Sequence, residues 1–409
     1  MSQMVIFDDR AYPGCAPAAV DLSPASDLRA VYDIRTGMNT TRERLVREWS
    51  PGLAALWAPD ELEAVTALSS GAAVNVLPQG GQFLCANGRW VYPAVQFDLQ
   101  VGQALIEAEC GHVVAAHLKR HDAGAFLQSG RLPENIERLE RPGRFLVRRP
   151  WEILAALPQV LHIDLLAHEP PPDRPAPTGV TILGEGPVMF DPTARVMPQA
   201  ILDAENGPIV IDAHALVRPG ATIIGPAYIG PHSQMLDRAL IKANTSIGPW
   251  CKVGGEVGAT IFQGYSNKAH DGHLGDSWVG QWVNLGAGTT NSNLLNTYGE
   301  VLVRQRVGGS ISRSGMQFLG AVLGDHVKTA IGTRLMTGSV IGTGAMIACS
   351  SPPPHCVAPF AWITDSGSHR YRIDKFIDVA RTVMARRRVE LTGAMELRLR
   401  AFYEEATAT

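Results

Sequence analysis

Features that mark several other protein classes are scarce or missing in this sequence. Its six cysteines form no C-x-x-C pair, which argues against a disulfide framework or a structural zinc site and favours reduced thiols. Only 18% of the 409 residues are charged and the net charge is −3, so no basic excess points to nucleic acid. There is neither an apolar run of membrane-spanning length nor a basic-then-apolar leader. We therefore expect a cytoplasmic protein that binds neither membranes nor nucleic acid.

A strict period of six is the strongest pattern that the sequence does have. An aliphatic residue or methionine recurs at every sixth position from Ile211 to Val253, and a small residue stands four positions after each of the first seven. Helices repeat near 3.6 residues and strands near 2, so neither produces this period. A flat coil with a short strand and a turn every six residues does produce it. The series predicts a parallel β-helix that breaks near Leu274 and then resumes as far as Ile347.

Composition divides the chain into four regions. Short apolar runs alternate with helical stretches over residues 1–168, which is typical of an α/β domain. Residues 169–178 are too rich in proline for a helix or a central strand and indicate a stiff linker. The hexapeptide region occupies 179–362. Residues 363–409 carry apolar side chains at helical spacing, which predicts a helical tail that caps the stack of coils.

The hexapeptide region resembles the acyltransferase half of the bifunctional UDP-N-acetylglucosamine pyrophosphorylase/glucosamine-1-phosphate N-acetyltransferase family. Lys268-Ala-His-Asp-Gly-His-Leu-Gly-Asp276 is similar to the family's Lys-Ala-Gly-His…Leu-Gly-Asp, and Val283-Asn-Leu-Gly-Ala-Gly-Thr289 to its Val-Asn-Ile-Gly-Ala-Gly-Thr. The resemblance implies a left-handed parallel β-helix in a homotrimer, with active sites between neighbouring subunits. It also implies acetyl-CoA or another acyl-CoA as donor, and a sugar phosphate or nucleotide sugar as acceptor.

The same resemblance assigns roles to individual residues of the break in the period. His270 falls on the family's catalytic histidine, and acyl transfer needs a base near neutrality, which histidine side chains in general supply. His273 falls on a substrate-contacting tyrosine, and Asn284 and Asn293 on residues that hydrogen-bond the sugar and orient its amine. A metal site at His270, Asp271 and His273 is one alternative, and a structural asparagine ladder between coils is another.

Further substrate contacts follow from neighbouring coils. Arg218, in Leu216-Val-Arg-Pro-Gly-Ala221, resembles an arginine that holds the substrate phosphate, although it stands farther before His270 than in the family. Gly342 and Ala345 resemble late coils whose backbone amides line the acyl-CoA arm, but coil packing also demands such small residues. A second phosphate-binding lysine is left open among Lys242, Lys252 and Lys268.

The N-terminal region resembles an alternative bacterial branch of the family's nucleotidyltransferase half. It lacks the usual glycine-rich nucleotide loop, but Val31-Tyr-Asp-Ile-Arg-Thr-Gly37, Asn87-Gly-Arg89 and Arg149-Pro-Trp-Glu-Ile153 are similar to segments of that branch. The family's magnesium ligands then fall on Asn87 and Glu152. Asparagine is a weak substitute for aspartate in a site for a hard cation, so the domain is expected to be degenerate. If it is active, we expect it to use Mg²⁺.

Three arginines of this region are candidates for binding nucleotide phosphates. Arg29, Arg35 and Arg42 offer guanidinium forks that contact phosphate oxygens in a bidentate manner, which lysine does not. The alternative is that they form structural ion pairs with the acidic residues nearby in sequence, namely Asp27, Asp33 and Glu43.

Two other functions stay open at the level of sequence. One is a sugar-1-phosphate nucleotidyltransferase whose β-helix serves only for assembly, which would release pyrophosphate without any need for His270. The other is a non-catalytic scaffold or binding protein, since β-helices also occur in such roles. It would turn over no acyl-CoA.

Overall fold

The chain divides into two compact units in the computed structural model, which describes residues 3–12, 20–49, 52–91, 98–168 and 177–408. Unit 1 comprises 1–22, 28–34 and 39–149, and unit 2 comprises 23–27, 35–38 and 150–409. The helix that follows Arg149 therefore belongs with the hexapeptide region, whereas the sequence analysis placed it in a domain that ends at residue 168. Nearly all of the predicted linker lies outside the described residues.

Unit 1 is an α/β unit built on one six-stranded sheet. The strand order is β2-β1-β3-β5-β4-β6, with β1 parallel to β2 and β3, β4 parallel to β6, and β5 antiparallel to both its neighbours. The strands are β1 Gln3–Phe7, β2 Leu53–Trp57, β3 Gln82–Asn87, β4 Gln103–Glu107, β5 His112–Lys119 and β6 Glu137–Arg141. The helices are α1 Thr41–Trp49, α2 Glu63–Ser70 and α3 Arg120–Ser129, with 3₁₀ turns at Asp9–Ala11, Val31–Asp33 and Asp60–Leu62.

Both faces of this sheet are buried because β1 alternates between two apolar clusters. Met4 and Ile6 pack in one cluster with Leu45 of α1, and Phe7 packs in the other with Phe126 of α3. The start of α1 is a capping box, in which the Thr40 hydroxyl accepts from the Glu43 amide and the Glu43 carboxylate accepts from the Thr40 amide. The sheet thus presents its strand ends, and not its faces, to possible ligands.

Unit 2 contains the predicted left-handed parallel β-helix, which is confirmed as three columns of short parallel strands. The first column is β7 Thr181–Leu183, β10 Ile201–Asp203, β13 Thr222–Ile224, β16 Leu240–Ile241, β19 Glu256–Gly258 and β22 His273–Gly275; β22 also contacts β25 Thr290–Asn291, which pairs with β30 Arg334–Leu335. The second is β8 Val188–Phe190, β11 Ile209–Ile211, β14 Ala227–Ile229, β17 Thr245–Ile247, β20 Ile261–Gly264, β23 Trp278–Gln281, β28 Ala321–Leu323, β31 Ser339–Ile341 and β33 Cys356–Val357. The third is β9 Arg195–Val196, β12 Leu216–Val217, β15 Gln234–Met235, β18 Lys252–Val253, β21 Asn267–Lys268, β24 Asn284–Leu285, β29 Lys328–Thr329, β32 Met346–Ala348, β34 Ala361–Thr364 and the antiparallel β35 Gly367–Arg370.

The period of six corresponds to the interior of these coils. Every member of the predicted apolar series from Ile211 to Val253 is completely buried, and so are the small residues between them, to within 1% exposure. The first shortened coil comes directly after Val253, where Val257 is the next inward residue, so the phase changes earlier than the sequence suggested. The inward position of β21 pairs with Val253 and is taken by Lys268.

The remaining parts of unit 2 are an inserted hairpin and three helices. The hairpin, β26 Leu302–Arg304 and β27 Ile311–Arg313, lies in the long connection between β25 and β28. Helix α4, Pro150–Leu166, contacts β14 and β23 of the second column. The predicted helical tail begins with strands, because β34 and β35 extend to Arg370. It then forms two helices, α5 Ile373–Ala385 and α6 Gly393–Thr407, which contact each other.

Candidate functional site on the β-helix

A buried lysine holds the turn that carries the predicted catalytic histidine. The Lys268 ammonium donates to the backbone carbonyls of Gly254, His270 and Asp271 at 3.1, 3.0 and 3.2 Å. Only 1% of Lys268 is exposed, and this burial lowers its pKa to about 8. Lys268 therefore fixes the backbone at His270 and Asp271 and is not available for a substrate phosphate.

The two histidines of this turn differ in their surroundings. His270 is exposed, on the turn between β21 and β22. His273 begins β22, its side chain is 30% exposed, and its Nδ1 atom lies 3.3 Å from Glu256 Oε1. Glu256 is also contacted by Lys242, whose Nζ atom is 3.2 Å from the same oxygen. His273 is consequently oriented by a carboxylate, whereas the His270 side chain faces solvent.

An amide and a second carboxylate complete this face of the coils. Asn293 donates from Nδ2 to Asp276 Oδ2 at 2.6 Å. Burial raises the pKa of Asp276, and the hydrogen bond from Asn293 opposes that shift. A Cβ atom at Gly275 would lie 2.7 Å from His273 Nε2 and 2.8 Å from Asn293 Nδ2, so a larger residue here would displace one or both of these side chains.

We call the group Lys242, Glu256, His273, Asp276 and Asn293 the coil-face cluster. Its members lie on successive turns of the first column, since Leu240 of β16 pairs with Glu256 of β19, which pairs with His273 of β22. In Glu256, the hydrogen bond from Lys242 and the charge of His273 outweigh burial and lower the pKa. The sequence analysis missed Glu256 and Asp276, and left Lys242 as one of three open lysines. Lys242 is half exposed, and it is the lysine that the structure brings to this cluster.

The metal alternative for the histidine turn is not supported. No group of three histidine, cysteine, aspartate or glutamate side chains in the described parts of the chain is placed to hold a metal ion. The Asp271 carboxylate accepts from the Gly288 amide at 3.2 Å, so it serves the neighbouring coil.

Two predicted substrate contacts lie away from the coil-face cluster. Arg218 is paired with Asp237 at 3.2 Å and stands three coils before the His270 turn, roughly 14 Å at the usual strand spacing. Asn284 is exposed on the third column, where its Oδ1 atom accepts from Asn267 at 3.4 Å. Arg387 donates to Asn267 at 2.7 Å, which extends this group into the helical tail. Asn284 therefore lies beside the strand that leads into the His270 turn, and not beside His273.

The residues predicted to line the acyl-CoA arm are engaged in coil packing. The Gly342 amide donates to the Val357 carbonyl at 2.9 Å, and the Ala345 amide donates to the Gly342 carbonyl at 3.2 Å. A Cβ atom at Gly342 would lie 2.4 Å from the backbone nitrogen of Pro359, and Ala345 is completely buried. Their small size is thus required by the fold, as the alternative interpretation proposed.

Two of the three candidate phosphate-binding arginines, Arg29 and Arg42, act on one carboxylate in unit 1. Arg42 pairs with Asp33 in unit 1 at 2.7 Å, as the structural alternative expected, and the charge of Arg29 also acts on Asp33. Arg35 belongs to unit 2, where its backbone amide donates to Gln263 and its guanidinium lies over the Tyr228 ring at 5.8 Å.

The residues predicted to bind magnesium do not fit a magnesium site. Asn87 is 1% exposed, and its Nδ2 atom donates to Asp9 at 3.0 Å and to the Val113 carbonyl at 2.9 Å. Its Oδ1 atom accepts from the Arg89 amide at 2.9 Å. The other predicted ligand, Glu152, stands in the first turn of α4 in unit 2. No reaction step through magnesium is derived from these residues.

The architecture combines an α/β unit with a hexapeptide β-helix. The family model described as "Sugar nucleotidyl transferase" matches residues 5–169. No helix in the described residues is long and apolar enough to cross a membrane.

Curated relatives carry the names of bifunctional proteins and confirm the resemblance. A bifunctional sugar-1-phosphate nucleotidylyltransferase/acetyltransferase of Sulfurisphaera tokodaii is 35% identical over 29% of this chain and 28% of its own length. The bifunctional protein GlmU of Methanococcus vannielii is 29% identical over 30% of this chain and 28% of its own. The matched part thus spans less than a third of either relative.

Among solved structures, a hexapeptide transferase family protein from Anaplasma phagocytophilum is 13% identical, with a TM-score of 0.27 over 56% of this chain and 98% of its own. The UDP-N-acetylglucosamine acyltransferase of Francisella novicida is 15% identical, with a TM-score of 0.18 over 51% of this chain and 74% of its own.

Proposed function

We propose that this protein transfers an acyl group from acyl-CoA to an amine or hydroxyl of a sugar phosphate or nucleotide sugar. Acetyl is the acyl group that we expect first. The observation that carries this proposal is the histidine turn. An exposed imidazole, that of His270, stands three residues before the carboxylate-oriented imidazole of His273, which belongs to the coil-face cluster. The names of the curated relatives support the same reaction class.

The acyl transfer requires one proton acceptor and one oriented nucleophile. The acceptor's amine or hydroxyl attacks the thioester carbonyl, its bond to the acyl carbon forms, and the bond from that carbon to sulfur breaks. His270 accepts the proton that the nucleophile loses, and the departing thiolate is protonated to free CoA. Backbone amides of the irregular turn stabilise the charge that develops on the carbonyl oxygen.

The coil-face cluster supplies binding and orientation around that step. His273, held by Glu256, contacts the substrate, and Asn293 orients the group that attacks. Lys242 is the cation that we assign to a substrate phosphate, because it is half exposed whereas Lys268 is buried. Asn284 and Arg218 remain candidates for contacts farther out on the sugar or nucleotide. Gly342 and Ala345 mark the coils along which the acyl-CoA arm would run.

We expect a homotrimer in which a neighbouring subunit completes the cleft for the thioester. Light scattering at micromolar concentration should then give three times the 44.0 kDa mass of the chain. A monomer would remove the shared site and most of the mechanism.

Two single variants test the proposed roles of the histidines. His270→Ala should lower kcat by about two to four orders of magnitude with little change in KM, the usual effect of losing a general base. His273→Ala should mainly raise KM. Activity is measured as free thiol released from acetyl-CoA in the presence of amino-sugar phosphates, and melting temperature as a check on folding. His355→Ala, an exposed histidine elsewhere in unit 2, is the matched control and should change neither.

The same set of variants separates the competing functions. If His273→Ala abolishes turnover and His270→Ala does not, then the general base is His273, which Glu256 orients. Full activity of both variants would place the site elsewhere and end the acyltransferase assignment. Pyrophosphate release without any thiol release would favour a nucleotidyltransferase with an assembly-only β-helix, and no turnover of either kind would favour a scaffold.

A further inference from the structure

The carboxyl ends of β1 and β3 in unit 1 form a cage of hydrogen-bond acceptors. The two strands are parallel and adjacent, with Phe7 opposite Asn87, and in such sheets ligands bind beyond the carboxyl ends of the strands. Beyond them stand the Asp9 carboxylate, the His112 imidazole at the start of β5, and the backbone carbonyl of Val147. A carboxylate, an imidazole and a carbonyl are ligands that divalent metals such as Mn²⁺ accept.

The cage is filled by the guanidinium group of Arg89. Its Nε atom donates to Asp9 Oδ1 and Oδ2 at 2.9 and 3.1 Å, and its Nη2 atom also contacts Asp9. Nη1 donates to the Val147 carbonyl at 2.9 Å, and Nη2 lies 2.8 Å from His112 Nδ1. Arg89 is completely buried, so every acceptor of the cage is directed at a single internal cation.

The charges within the cage agree with this arrangement. Burial alone would raise the pKa of Asp9, but the charge and hydrogen bonds of Arg89, with a further bond from Asn87, hold it below its usual value. Burial and then the positive charge of Arg89 lower the pKa of His112, which leaves its imidazole neutral and able to accept from Arg89.

Neighbouring carboxylates are occupied in the same way. Asp8 is paired with Arg10 at 2.6 Å and accepts from the Val31 amide at 2.9 Å. Glu107 is completely buried and is paired with Arg148. Among the described residues, the carboxylates of Asp8, Asp9 and Glu107 at these strand ends are therefore each held against an arginine.

We propose that Arg89 is a built-in cation that takes the place of a divalent metal in unit 1, and that removing its guanidinium uncovers a metal site formed by Asp9, His112 and the Val147 carbonyl. Unit 1 then binds any ligand at these strand ends without a metal ion. The inference does not depend on the acyltransferase proposal, which concerns unit 2.

Binding of Mn²⁺ to the full-length chain, followed by electron paramagnetic resonance and by calorimetry, tests the inference. The wild-type chain should bind no Mn²⁺ at this site up to about 1 mM. Arg89→Ala should bind one ion per chain at least tenfold more tightly than that limit, with a melting temperature that rises with Mn²⁺. The double variant that carries both Arg89→Ala and Asp9→Asn should bind no Mn²⁺ at this site.

Two controls keep the outcome decisive. Arg148→Ala frees a single carboxylate, that of Glu107, and should gain no tight site. If Arg89→Ala does not fold, Arg89→Gln keeps most of the side-chain volume without the charge and should gain the same site. Stoichiometric Mn²⁺ binding by the wild-type chain that is lost in Asp9→Asn would overturn the inference, as would a folded Arg89 variant that binds no ion.

Discussion

The strand ends of unit 1 and the coil face of unit 2 both concentrate acidic and basic side chains, but they use them differently. In unit 1 the carboxylates of Asp8, Asp9 and Glu107 are bound by arginines, and Arg89 is completely buried. On the coil face, His270 is exposed and His273 is 30% exposed. Charges that are already paired in the interior are part of the structure, since removing one partner is strongly destabilising. Partly solvated groups remain able to exchange protons with a substrate.

This difference explains why the resemblance to a bifunctional protein does not extend equally to both units. Residues 5–169, which include most of unit 1, match a nucleotidyl transferase family model, yet the predicted metal ligand Asn87 is hydrogen-bonded within the protein. Unit 2 keeps an irregular turn with two imidazoles at the break in its regular coils. We therefore expect chemistry in unit 2, and at most recognition in unit 1.

The largest effect should come from removing a carboxylate in unit 1. Asp9→Ala leaves the Arg89 guanidinium buried without its counter-charge, and breaking such a pair costs about 3–5 kcal/mol. Asp276→Ala on the coil face removes one partly buried hydrogen bond, worth about 1 kcal/mol. Hydrogen exchange of the β1 and β22 amides under native conditions measures each local free energy of opening. Similar losses at the two sites would contradict the distinction between them.

A smaller effect is expected for the lysine inside the β-helix. The pKa of Lys268 is about 8 in the folded chain and about 10.4 when unfolded, so the unfolded state binds more protons between these values. The stability of the wild-type chain should therefore rise across that pH range, because the cost of burying a charge disappears. Lys268→Met should lack this contribution.

Melting temperatures of both chains at pH 7 and pH 9.5 check this expectation. The melting temperature of the wild-type chain minus that of Lys268→Met should rise by a few degrees from pH 7 to pH 9.5. Lys328, whose pKa burial also lowers to about 8, is present in both chains and cancels in the comparison. Parallel pH profiles would show that Lys268 keeps an ordinary pKa in the folded state.

The sequence was sufficient for the β-helix because its interior repeats one physical requirement. Each turn needs an apolar residue at the same inward position, and the period of six from Ile211 to Val253 reflects this requirement. Lys268 escaped the pattern since a lysine at an inward position is stable only where backbone carbonyls surround it. Gly254 on the preceding coil and His270 and Asp271 on the turn after β21 supply them.

The candidate site was predicted in part, and its limits have a physical cause. The histidine turn was evident from its residues, but Glu256 joins His273 through pairing between strands, which sequence spacing does not reveal. Arg29 and Arg35 are close in sequence, yet they belong to different units because the chain enters unit 2 twice before residue 39. Proximity along the chain therefore did not reveal to which unit each arginine belongs.

Two assays on one preparation of the full chain test the central claim most directly. Free thiol release from acetyl-CoA with amino-sugar phosphates is measured beside pyrophosphate release from nucleoside triphosphates and sugar 1-phosphates with magnesium. We predict thiol release that depends on His270, and weak or no pyrophosphate release. Robust magnesium-dependent pyrophosphate release that collapses in Arg29→Ala or Arg35→Ala, without any thiol release, would contradict the account.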